Sequence, residues 1–146
     1  MSQIKPALTS ALTSALTSAL TSELKTFNVS EPWFSLIQAG TKSVEGRLAK
    51  SRFAEIQQGE LIRWTNEELK TKDGNTVHRY VVTRVSAVTY YPDFEKYLSA
   101  ERLKYCLPGV RTIKDGVMVY HKFYPKEERQ KYKVIAIRLE VSPDDK

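Results

Sequence analysis

Apolar residues recur along this chain with two different periods, and the changes of period divide it into elements. Residues 7–22 are four copies of Ala-Leu-Thr-Ser, which set Leu8, Leu12, Leu16 and Leu20 on one slowly drifting helical stripe. Half of these residues are Ser or Thr, whose side chains compete for backbone hydrogen bonds, so the stripe is marginal as a helix by itself. We read residues 1–22 as a low-complexity extension, with docking of the leucine stripe on the domain or on a partner as the sharper alternative. Residues 23–29 follow as an entering strand whose apolar members are Leu24, Phe27 and Val29. Ser30 then caps a short helix with Pro32 in its first turn, Trp33, Phe34, Leu36 and Ile37 on its buried side, and Gly40 as its stop. Beyond Thr41 the alternation predicts a strand with Ser43, Glu45 and Arg47 on one side and Val44 on the other.

Residues 51–58 predict a short helical or looped connection, and Gly59 turns it into a strand at 61–65 with Ile62 and Trp64 on one face. Asp73-Gly74 predicts a two-residue hairpin turn into a long β-branched strand over 77–89, on which Arg79 and Arg84 fall on opposite faces. Asp93 caps a helix with Phe94, Tyr97 and Leu98 inward, and a further turn carries Leu103, Cys106 and Leu107 up to the Pro108-Gly109 stop. Within 110–123, Ile113, Val117 and Tyr120 stand at helical spacing before Pro125, and Glu127, Glu128, Arg129 and Lys131 read as a charged hinge. The last strand, 132–141, sets Ile135, Ile137 and Leu139 against Val134, Ala136 and Arg138, apolar on nearly both faces, which predicts a central place in the sheet. The folded domain therefore spans 23–141, followed by a polar tail at 142–146.

Composition narrows the class without choosing a chemistry. A chain of 146 residues with 41% hydrophobic content supports one domain with a core. A net charge of +6 favours an anionic partner. The single cysteine, Cys106, excludes an internal disulfide and a multi-thiolate zinc site and fits a reducing compartment. No apolar run approaches the length of a membrane span and no secretory leader is present, so we expect a cytoplasmic protein without a membrane partner. Lys5 is the only basic residue before the domain, which disfavours a mitochondrial presequence. There is no glycine-rich phosphate loop and no nucleophile elbow, and His78 and His121 lie on different elements, so neither a cofactor nor a metal is expected.

The concentrated chemistry lies at the first helix-to-strand junction. Lys42, Glu45 and Arg47 fall within six residues, and each such charge must be solvated, paired or used. In a purely structural reading, ion pairs to Glu45 fix the junction. In a functional reading, Arg47 and Lys42 hold an anionic or carbonyl-bearing group in a cleft, while Glu45 orients them, accepts from a base edge, or forms an acid/base pair with a cation. Trp33 is a candidate stacking platform beside these charges, as are Tyr90 and Tyr91 at a strand exit. Arg111, Lys114, Lys122, Lys126, Arg129, Lys131 and Lys133 offer either a phosphate-tracking face or a merely solvated one.

The pattern G-x-K-x-x-E-x-R, carried by Gly40, Lys42, Glu45 and Arg47 after a helix containing an aromatic, resembles the signature of the ASCH domain, a branch of the PUA-like superfamily. The stretch 107–140 also resembles an extended subgroup of that family found in microbes and large DNA viruses. The resemblance implies an α+β fold, a small PUA-like β-barrel surrounded by short helices, with a cleft beside the motif. The resemblance does not imply one function, but PUA-like domains commonly recognise RNA, so RNA or a nucleotide-like small molecule is the expected partner, held by Lys42, Glu45 and Arg47 of the motif and by the aromatic candidates Trp33 and Tyr91. Some bacterial relatives hydrolyse the acetyl amide of acetylcytidine with a Lys, a Thr and a Glu; Lys42 matches that Lys, but Glu45 stands where the Thr would be, so the nucleophilic arrangement does not carry over. A ribonuclease, also attributed to relatives, would use Lys42 and Glu45 as catalytic acid and base. An interaction module with no ligand is the remaining class.

Overall fold

The computed structural model describes residues 24–141, so the Ala-Leu-Thr-Ser repeat and the polar tail lie outside the described residues. The elements in order are β1 (Lys25–Asn28), α1 (Trp33–Gln38), β2 (Val44–Leu48), a 3-10 turn (Ser51–Glu55), β3 (Leu61–Asn66) and β4 (Arg79–Tyr91). They continue through α2 (Phe94–Glu101), α3 (Leu103–Cys106), α4 (Ile113–His121) and α5 (Lys126–Lys131) to β5 (Val134–Val141).

The strands form one mixed sheet in the order β1-β3-β4-β5-β2. β1 runs parallel to β3 and the other pairs are antiparallel. β4 organises the curl: its first half pairs with β3 and its second half with β5, and the register shifts between Val85 and Ala87. An extra residue on one strand bends it and increases its twist, so one long strand serves both halves of a curled half-barrel. β5 lies between β4 and β2, the central place its two-sided apolar pattern predicts.

Apolar residues pack on both faces of the sheet. Ile135, Ile137 and Leu139 of β5 join Phe34, Ile37, Ile62, Trp64, Val81 and Val85 in one cluster. Val134 and Ala136 join Val44, Leu48 and the helical residues Phe94, Tyr97, Leu98, Cys106 and Leu107 in the other. The outlying member of the second face, Arg138, donates from Nε to Glu101 at 2.8 Å and so ties α2 to β5.

Several local expectations are corrected. Ser30 does not cap α1 with its side chain; the Glu31 carboxylate instead accepts from the Ser35 amide at 2.9 Å and its hydroxyl at 2.6 Å. The hairpin loop has three residues, Lys72, Asp73 and Gly74: Thr71 exchanges backbone bonds with Gly74 and Asn75, and Gly74 takes the left-handed conformation at φ +83°. The charged stretch read as a hinge is α5, whose Glu127 and Glu128 fall in the first turn and Arg129 and Lys131 in the last, the order the helix dipole favours. Asp93 caps α2 as predicted, accepting from the Lys96 amide at 2.8 Å.

Candidate functional site

The order of strands leaves β1 and β2 as the two edges of the sheet, and a cleft opens beside them. Its volume is about 320 Å³, with Asn28, Val29, Ser30 and Trp33 on one side and Val119, Tyr120, Phe123 and Tyr124 on the other. Lys42, Glu45, Gly46 and Arg47 line it from the motif.

Local geometry brings the motif there. Gly40 ends α1 at φ +82°, and the amides of Thr41 and Lys42 both donate to the Leu36 carbonyl at 3.0 Å, which turns the chain back beneath the helix. Lys42 is 1% exposed. Its ammonium donates to the carbonyl of Val44 at 2.8 Å and to that of Cys106, and lies 3.3 Å from Glu45 Oε1. Three protons meet three acceptors, so Lys42 is committed within the protein.

Glu45 is equally engaged. Its Oε1 faces Lys42 and accepts from the Gly46 amide at 3.1 Å, while Oε2 accepts from Arg47 Nε at 3.3 Å and Nη2 at 3.1 Å. Two donors on each oxygen use the carboxylate's roughly four acceptor positions. Accepting from a base edge, one of the roles read from the sequence, would require displacing one of these donors. Burial would raise the Glu45 pKa, but Lys42 and Arg47 outweigh it and hold the carboxyl below its ordinary range. Glu45 is therefore a fixed anion.

Arg47 differs. Burial would lower its pKa, but Glu45 raises it. Nη2 also donates to the Asn28 carbonyl at 2.9 Å, joining the edge strands β2 and β1 by a side chain where no backbone ladder does. The guanidinium lies 5.0 Å from the Phe53 ring centre and 5.6 Å from that of Trp64. Its Nη1 has no partner among the described residues.

Trp33 lines the cleft with its ring centre 5.8 Å from Lys42 Nζ. Gly46 is required by close approach: a Cβ there would stand 2.4 Å from the Tyr97 ring. The Tyr97 hydroxyl in turn meets that of Tyr120, a cleft residue, at 3.0 Å. Tyr91 is not brought to the cleft. Its hydroxyl donates to Glu101, and burial followed by that carboxylate pushes its pKa up to about 12. Ser43, read as facing with Glu45, lines a separate depression with Glu101, Arg102, Tyr105 and Arg138. Arg79 pairs with Glu31 at 3.1 Å, outside the cleft lining, and Arg84 is exposed.

Sequence reasoning missed the far wall. Phe123 is 57% exposed, an uncommon state for a large apolar ring, and it stands with Tyr124 just past the last turn of α4. The signal was the adjacent pair Phe123-Tyr124 before Pro125, read only as a helix end. Of the basic residues of the last third, Arg111, Lys114, Lys122, Lys126, Lys131 and Lys133 are exposed, whereas Arg129 is held by the Tyr124 carbonyl and His121, both at 3.0 Å.

The ASCH domain family model matches residues 27–143. Among solved structures, the chain is similar to the crystal structure of hypothetical protein PH0355, at 32% identity and a TM-score of 0.67, covering 80% of this chain and 97% of that one. It is also similar to the solution structure of protein PF0455 from Pyrococcus furiosus, at 31% identity and a TM-score of 0.62, covering 82% of this chain and 97% of that one. No curated protein matches the chain.

Proposed function

Because the chain belongs to the ASCH domain family, we propose that it is an RNA-binding module whose cleft takes one unpaired nucleotide. The observation that carries the reading is Arg47: a guanidinium fixed by Glu45 and Asn28, with one nitrogen left over, in the wall of an aromatic-lined cavity. A cavity of 320 Å³ is at the small end of the range for ligand sites, about 300–1,000 Å³, and suits a base better than a longer ligand. Trp33 and the exposed Phe123 offer stacking surfaces on its two sides, each worth about 1–3 kcal/mol per base where stacking is realised. The exposed lysines of α4, α5 and their flanks would then follow the phosphates on either side of that nucleotide.

Hydrolysis is the weaker reading on this geometry. Lys42 and Glu45 are the acid/base candidates, yet the ammonium donates inward to two carbonyls and the carboxylate is saturated with donors. A proton-transfer pair must reach the substrate, directly or through one water.

The test is incubation of the protein with total RNA, with bound material and products followed by mass spectrometry. RNA should be retained unaltered, with retention falling steeply between about 50 and 200 mM salt. Arg47→Ala should reduce it by about tenfold or more, the worth of a hydrogen bond from a charged donor. Cleaved or deacylated products would displace this reading in favour of the hydrolase.

A further inference from the structure

The donors and acceptors around the cleft are unevenly spent, and that imbalance selects a ligand. Each Glu45 oxygen already faces two donors, so the motif's side chains offer no free acceptor. Lys42 is committed to Val44, Cys106 and Glu45, so it offers no free donor. In Arg47, Nε and Nη2 are engaged with Glu45 and Asn28, which leaves the two protons of Nη1. The charged side chains of the floor therefore present donors only.

A group that meets this floor must accept. A phosphate accepts, but desolvating a full anion among Val29, Trp33, Leu107, Val119 and Phe123 costs more than one charge-assisted hydrogen bond returns. A base carbonyl carries no net charge to desolvate and fits between aromatic walls. An exocyclic amino group in the same place would set N–H against N–H and leave Nη1 buried without an acceptor.

We propose, resting on the RNA-binding reading, that the cleft selects keto bases, uracil and guanine, over the amino bases cytosine and adenine, and that Arg47 is the specificity-determining residue. Asn28 and Ser30 on the side wall can turn groups of either sense toward a base, so the discrimination falls on Arg47.

The experiment is competition on the wild-type protein between oligouridylate and oligocytidylate of equal length, and between oligomers carrying inosine or adenosine at one position, all at one salt concentration. Inosine differs from adenosine by a carbonyl where the amino group was and by the N1 proton that accompanies it. The expected result is about a tenfold preference for uridine over cytidine and for inosine over adenosine, the order of one well-placed base contact. In Arg47→Lys, which keeps the charge but loses the planar fork, both ratios should fall toward one. Because the competition uses unaltered protein, a variant that fails to fold does not weaken the test. Equal affinity for all the oligomers with a steep salt dependence would overturn keto selection and leave RNA binding standing. Preference for cytidine or adenosine would overturn it as well. Retention of no RNA at all would bring down both readings together.

Discussion

Gly46→Ala is the change whose cost can be worked most directly from the structure. Gly46 lies in the middle of β2, where a side chain would ordinarily strengthen the strand, yet a Cβ built there stands 2.4 Å from Tyr97 Cζ, 2.6 Å from Cε2 and 2.7 Å from the hydroxyl oxygen. Ordinary carbon contacts begin near about 3.5 Å, so the ring must retreat by about 1 Å. It has no room to do so. Tyr97 is fully buried, its hydroxyl meets Tyr120, and its ring packs edge-on to Phe94 and Tyr120 at 6.2 and 5.6 Å between centres. Overpacking of this kind costs about 1–3 kcal/mol, and the rigid neighbours place Gly46→Ala at the upper end, about 3 kcal/mol. For a domain of this size that corresponds to roughly a 10 °C fall in Tm. Urea and thermal melts of Gly46→Ala, Tyr97→Leu and the double variant give the answer. In the Tyr97→Leu background the added methyl should cost less than about 1 kcal/mol, so the cycle should show a coupling of about 2 kcal/mol or more. A Gly46→Ala protein that melts within 2 °C of wild type, a shift well below about 1 kcal/mol, would refute the argument, because Tyr97 would then yield without cost.

The remaining predictions concern the buried charges. Lys42→Met leaves the carbonyls of Val44 and Cys106 without a donor and Glu45 with one cation fewer, so it should lower the unfolding free energy by about 3–5 kcal/mol in urea melts. The half-exposed pair Lys25–Glu60 is the control, and Lys25→Met should cost under about 1 kcal/mol. For acid stability the sign follows from Glu45: its folded pKa lies below the ordinary 4.5, so its contribution is whole above that value and is lost as the pH falls through the folded pKa. Urea midpoints at descending pH should therefore fall more steeply below pH 4.5 in wild type than in Glu45→Gln, and equal slopes would refute the assignment.

What was legible in the sequence was what alternation and punctuation encode. The two apolar faces of β5, the Asp93 cap, the Gly40 and Gly109 stops and the placement of Ile62 with Trp64 all follow from short-range pattern. The cleft was half legible, because Trp33, Lys42, Glu45 and Arg47 lie within one helix-strand unit and reach it together. Its other wall comes from α4 and the turn after it, more than 70 positions later, and no local period reports that Val119, Tyr120, Phe123 and Tyr124 close on Arg47. Tyr91 was misplaced for a related reason. A tyrosine at a strand exit is equally suited to stacking a ligand or to reaching a carboxylate, and only the return of α2 brings Glu101 within reach of its hydroxyl. Likewise the bulge between Val85 and Ala87 leaves no clear mark in a β-branched run, yet it sets the curl of the sheet.

The structural and functional readings of the motif are divisions of labour within it. Lys42 points inward and fixes the turn between α1 and β2 by donating to Val44 at the start of β2 and to Cys106 on α3. Glu45 neutralises it and passes the order outward, holding Arg47 by two nitrogens. On the proposed reading Arg47 does two things with one guanidinium: Nη2 latches the open seam between β2 and β1, and Nη1 is left for a ligand. A ligand that engages Nη1 therefore also restrains the latch, so binding should slow amide exchange along the paired ends of both edge strands as well as in the cleft itself. The seam that a closed barrel would seal with backbone hydrogen bonds is instead bridged by a side chain, and the cleft opens beside that bridge.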